Sequence, residues 1–140
     1  MTHCYGAVGV GRDNAPDSGN GTELYAVIGQ SPRKLDRNVT LVGRVVQGME
    51  ILSVMPRGPA PMGFYASESQ WAPIRKATLA ADVPEAERLP LEALRTESPT
   101  FAAVIASRRH RREAWFVDPV GHLGVCNVPL PVRLRATAPR

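Results

Sequence analysis

The sequence predicts a mainly β fold with a few short helices, and three observations carry that prediction. Short runs of β-branched and apolar residues recur between clusters of turn residues. Thirteen prolines and twelve glycines interrupt anything resembling a helical bundle. One strong helix start stands apart from the rest, at Ser98 and Pro99.

Tyr5 to Gly11 alternates small and apolar residues, with Val8 and Val10 set between glycines, which predicts a strand packed closely against other backbone. It lies only a few residues after Met1, where domains rarely place core, so either the first strand starts unusually early or the sequence begins inside a larger domain. Arg12 to Thr22, RDNAPDSGNGT, is turn chemistry and predicts a long surface loop. Glu23 to Gly29, ELYAVIG, reads as a central strand. Gln30 to Asn38 is polar around one apolar residue, Leu35, expected to point inward, and leads into a further strand at Val39 to Val46.

Gln47 to Met55 spaces Met49, Leu52 and Val54 or Met55 as a short helix, stopped by Pro56, Gly58, Pro59 and Pro61. Ala72 to Asp82 sets Ala77, Leu79 and Ala81 on one face of a strand that would close a sheet. After Asp82 the pattern turns helical: Asp82 caps a turn with Pro84 and Glu85, and LPLEALRT spaces Leu91 and Leu94 three apart. A helix from Ser98 carries Phe101, Val104 and Ile105 as an apolar stripe through Arg112. Asp118 to Arg140, with Pro119, Pro129, Pro131 and Pro139, reads as a docked or trailing tail. The domain division expected from this pass is 1–82 and 83–140, the second a helical extension with a proline-rich tail.

With 140 residues and 44% hydrophobic content the chain can build one core. A net charge of +4 is too modest to assign an anionic partner. No apolar run approaches the ~18 residues a membrane helix needs, so the chain reads as soluble. Cys4 and Cys126 form no dense disulfide framework and leave the compartment open between cytoplasm and periplasm.

The run from Gly6 to Leu52 resembles the C-terminal half of the cyclophilin domain, the fold of a family of peptidyl-prolyl cis-trans isomerases. Five pieces carry the resemblance, in order: Gly19-Asn20-Gly21-Thr22, Glu23-Leu24-Tyr25, Leu35-Asp36, Gly43-Arg44-Val45 and Gln47-Gly48-Met49. The segments LAADVPEAERLPLEALRT and FAAVIASRRHRR look like the extension of a bacterial subgroup. The resemblance implies a cyclophilin-like β-barrel, present here as an incomplete second half followed by the helical extension. A half barrel leaves open strand edges, so the isolated chain is expected to be marginally stable, self-associating or dependent on a complementing piece.

Rotation about an X-Pro bond faces a barrier near ~20 kcal/mol although cis and trans differ by only about 0.5–1 kcal/mol, so its catalysis requires no cofactor, metal or nucleophile. It requires a dry pocket for the proline ring, donors for the flanking carbonyls and a donor near the proline nitrogen. By resemblance Tyr25 matches the family's proline-contacting phenylalanine and Leu35 its pocket leucine, while Gly11 and Arg12 sit where backbone contacts to an extended substrate are expected. Glu23 stands in place of the usual glutamine, Val42 replaces a common aromatic and Val39 stands where many members carry a pocket histidine. The family's arginine-phenylalanine-glutamine motif has no counterpart in this sequence. Proline-containing polypeptides are the partners implied, with no membrane role and no nucleic acid. The alternative is a non-catalytic proline-peptide binder or scaffold.

Blander readings compete at each point. Tyr25 in a strand and Leu35 in a turn are by themselves core and anchor residues. Gly9-Val10-Gly11 lacks the third glycine and following helix of a dinucleotide turn, and Gly19-Asn20-Gly21-Thr22 lacks the lysine of a phosphate loop. His3, Cys4, His122 and Cys126 fit no zinc spacing and read as isolated side chains. Arg108, Arg109, His110, Arg111 and Arg112 offer a nucleic-acid patch or, more simply, cations solvated at a helix C-terminus.

Overall fold

A computed structural model describes residues 2–29 and 33–135. Part of the Gln30 to Asn38 segment and the end of the tail lie outside the described residues. The described chain is a mixed arrangement of a three-stranded sheet, a two-stranded sheet and two α-helices, joined by turns.

The first sheet has β1 (Ala7–Val10) at its centre, flanked by β2 (Leu24–Ala26) and β3 (Leu41–Arg44), both antiparallel. Small residues earn β1 that place, because Ala7 and Gly9 face the interior and let neighbouring groups close over the backbone. Gly9 lies directly opposite Tyr25, and a Cβ there would come within 2.3 Å of the Tyr25 ring. The register against β3 shifts between Val8 and Gly9, a bulge of the kind that sharpens local twist. Ala7, Val27 and Leu41 form the buried cluster, with Tyr25 packed on it.

Gly48, at φ 90°, makes the left-handed turn that starts α1 (Met49–Val54), and Met49 is buried while Leu52 and Met55 are half-buried on the same side. In α2 (Pro99–Arg109) the Ser98 hydroxyl accepts from the Phe101 amide at 3.1 Å, and Phe101, Val104 and Ile105 are the half-buried stripe. The helix stops at Arg109, short of the expected Arg112.

Two expectations are corrected. Residues 72–79 form no strand: they are exposed throughout, Ile74 by 87%, and the segment ends in a 3-10 turn at Ala80–Asp82. Alternation supplies a face but no hydrogen-bonding partner, and here none runs alongside. LPLEALRT is not helical either, for β4 (Leu91–Ala93) pairs antiparallel with β5 (Val132–Leu134). Glu92 then meets Arg133 and Arg135 across the pair. The described residues form no closed barrel.

The tail is docked, not trailing. Cys126 is bonded to Cys4, with Cα atoms 5.0 Å apart across 122 positions of sequence. A cavity of about 340 Å³ lies between the sheet residues Ala7, Leu41 and Gly43 and the later residues Phe101, Val125 and Leu130. The cysteines expected to be isolated are therefore a covalent strap between the two ends of the fold. The surface exposed is 11916 Å², whereas a folded monomer of this mass, 15.2 kDa, exposes about 7,100 Å². Ile51, Val54, Met62, Phe64, Trp71 and Trp115 are among the large apolar side chains left in solvent.

Candidate functional site

Of the residues singled out by resemblance, Tyr25 lies on β2, Glu23 and Gly11 are joined just beyond β1 and β2, Arg12 folds onto the following loop and Leu35 lies on the turn before β3. Tyr25 sits mid-strand on β2, and pairing with Gly9 leaves room for its ring to lie across β1. Its hydroxyl meets His3 Nε2 at 2.7 Å. The other ring nitrogen of His3, Nδ1, lies 3.1 Å from Asp36 Oδ1, and the same oxygen accepts the His3 backbone amide at 2.8 Å. His3 is only 2% exposed. Its ring is nearly coplanar with that of Tyr25, the planes 9° apart and the centroids 6.1 Å apart. Burial raises the Tyr25 phenol above its ordinary value of 10.0.

Asp36 follows Leu35, which ends the 3-10 turn Arg33–Leu35 and is half-buried. The Leu35 carbonyl accepts the amides of Asn38 and Val39 at 3.1 and 3.2 Å, fixing the turn. One histidine thus links the strand carrying the aromatic ring to the turn carrying the leucine. Sequence reading did not find His3 or the Asp36 carboxylate as part of this group. A tyrosine where a phenylalanine is usual was the available signal, since a half-buried hydroxyl requires a partner.

Gly11, just beyond β1, donates its amide to the Glu23 carbonyl at 2.8 Å, and the Glu23 side chain covers the place where a Cβ would stand. Arg12 turns back on its own chain: Nε donates to the Asn38 carbonyl at 3.1 Å and Nη1 to those of Asp13 and Asn14. With Val10, Pro16 and Thr40 it lines a recess of about 130 Å³ beside the glycine-rich loop. Its guanidinium is therefore occupied in shaping the loop.

Among the described residues no three His, Cys, Asp or Glu side chains gather as metal ligands. Among the described residues no helix is long and apolar enough to cross a membrane. In the basic run, Arg108 and Arg109 end α2, while Arg111 pairs with Glu113 at 3.1 Å and lies 5.4 Å over the Phe116 ring. Backbone amide and arginine contacts hold the Glu113 carboxyl below its usual range.

No protein-family model matches the sequence. No curated protein matches it either. Among solved structures, the crystal structure of cyclophilin AquaCyp293 from Hirschia baltica superposes with a TM-score of 0.62 at 23% identity, over 98% of this chain and 45% of that one. The chain thus spans less than half the length of the structure it matches. At that level of identity the likeness speaks to architecture, and the fold of this chain is cyclophilin-like.

Proposed function

We propose that this chain acts on X-Pro segments of polypeptides as a peptidyl-prolyl cis-trans isomerase, with Tyr25 and Leu35 forming the wall of the proline pocket. The observation that carries the reading is the agreement of two likenesses, one of sequence and one of backbone. Five motif pieces occur in family order along Gly6 to Leu52, and the backbone superposes on a cyclophilin over nearly its whole length. On this reading Gly11, Arg12 and Glu23 would supply contacts to an extended peptide. The reaction makes no covalent bond, so the residues act by holding the proline ring and favouring its twisted imide over the planar one. The strap between Cys4 and Cys126 favours an oxidising compartment.

A second reading, a proline-peptide binder without catalysis, is favoured by the engagement of Arg12 Nε and Nη1 with three backbone carbonyls, which commits that side chain to its own loop. A chymotrypsin-coupled assay on a proline tetrapeptide separates the two. Turnover above the uncatalysed rate, weakened by Tyr25→Ala and Leu35→Ala, is the expected result. An uncatalysed rate with peptide binding retained selects the binder, and neither rate nor binding from folded protein removes both.

A further inference from the structure

We infer that His3 and Asp36 are positioning residues that hold the Tyr25 ring across β1 and take up its hydroxyl, leaving an apolar ring face for a ligand. The inference rests on the reading of Tyr25 as pocket wall and deepens it.

The geometry runs in one direction. A carboxylate only accepts, so the bond from His3 to Asp36 puts a proton on Nδ1. In the neutral ring Nε2 is then an acceptor, and the Tyr25 hydroxyl donates to it. Asp36 is itself steadied by the His3 backbone amide, so the imidazole is held at both its ring and its main chain. Three features make this more than a filled core position. The imidazole is enclosed, with Tyr25 completing the chain of bonds that starts at Asp36. Gly9 gives the ring a seat that any side chain would close. Finally, a tyrosine with a free hydroxyl would bring a wet, polar edge to an apolar wall, and the histidine removes that cost. Asp36 sets the tautomer, His3 sets the ring and Tyr25 meets the ligand.

The test is a double-mutant cycle with two readouts. His3→Gln and Asp36→Asn are made in the natural chain and in Tyr25→Phe, with folding checked by circular dichroism. The first readout is the affinity for a proline tetrapeptide. Each substitution is expected to weaken binding about tenfold when Tyr25 is present and to have little effect once the hydroxyl is gone. The second readout needs no peptide: the ring-carbon resonance of ¹³C-labelled Tyr25, assigned by its loss in Tyr25→Phe, followed against pH. Loss of the imidazole or of the carboxylate charge removes a partner of the protonated phenol and is expected to lower the Tyr25 ionisation below the level that burial alone sets with both in place. Equal weakening in both backgrounds, or a Tyr25 ionisation unmoved by Asp36→Asn, overturns the inference. A natural chain that binds no peptide, yet shows the expected change in Tyr25 ionisation, overturns the pocket reading and leaves the hold on Tyr25 standing.

Discussion

The first sheet and the segment from Met62 to Glu87 are both rich in apolar residues but treat them differently. Around β1 the apolar groups close on one another and the polar ones find named partners: Ala7, Val27 and Leu41 are buried, and His3 bonds to both Tyr25 and Asp36. Across residues 66–82 every side chain is exposed, and order comes from 3-10 turns with local bonds, such as the Ser67 and Gln70 capping box. The difference teaches that hydrophobicity alone does not recruit a segment into a core. A strand needs a neighbour for its amides, and β1 has two.

The largest expected effect tests how the two ends are tied. Cys126→Ser opens a loop of about 120 residues and is expected to cost roughly 5 kcal/mol on a chain-entropy account, read as a lower denaturant midpoint equal to that of the reduced natural protein. If hydrogen exchange then rises around β5 while β1 stays protected, the regions are separable; uniform loss denies the contrast. Next, His3→Ala removes the imidazole from the Tyr25 hydroxyl and from Asp36, which keeps the backbone amide of residue 3, an expected loss of about 2 kcal/mol in chemical denaturation. Gly9→Ala forces the Tyr25 ring from its seat, at about 2 kcal/mol, and the loss should shrink in a Tyr25→Ala background. Ser98→Ala removes the cap of α2 for about 1 kcal/mol, visible as reduced helical ellipticity.

The smallest effect is a dependence on pH. The Tyr25 phenol is raised by burial, so the folded state holds its proton more firmly than the unfolded state does. Its contribution is complete below about pH 10, the unfolded value. It is lost as the pH climbs through the higher folded value. Alkaline melts of Tyr25→Phe should therefore lack that last decline; an identical decline in both proteins contradicts the assignment.

Local chemistry made much of the fold legible. Glycines and valines marked β1, the spacing of Met49 and Leu52 marked α1, and Ser98 with Pro99 marked the start of α2 to the residue. The failures lay where a distant partner decides. Leu91 and Leu94 fit a helix until β5, some forty residues on, supplies a strand to pair with. Ala77, Leu79 and Ala81 fit a strand for which no such partner arrives. The same holds for the candidate site: Tyr25 and Leu35 were marked by resemblance, whereas the link between them passes through His3, 22 residues from one partner and 33 from another, a separation without a local signature.

The strap between Cys4 and Cys126 has a mechanical consequence. Tension applied to the two ends of the chain would pass through the sulfur bridge and bypass nearly everything between. The roughly 400 Å of contour held by those residues would stay hidden from a pulling device, whether or not the sheet had come apart, until a thiol cut the bridge.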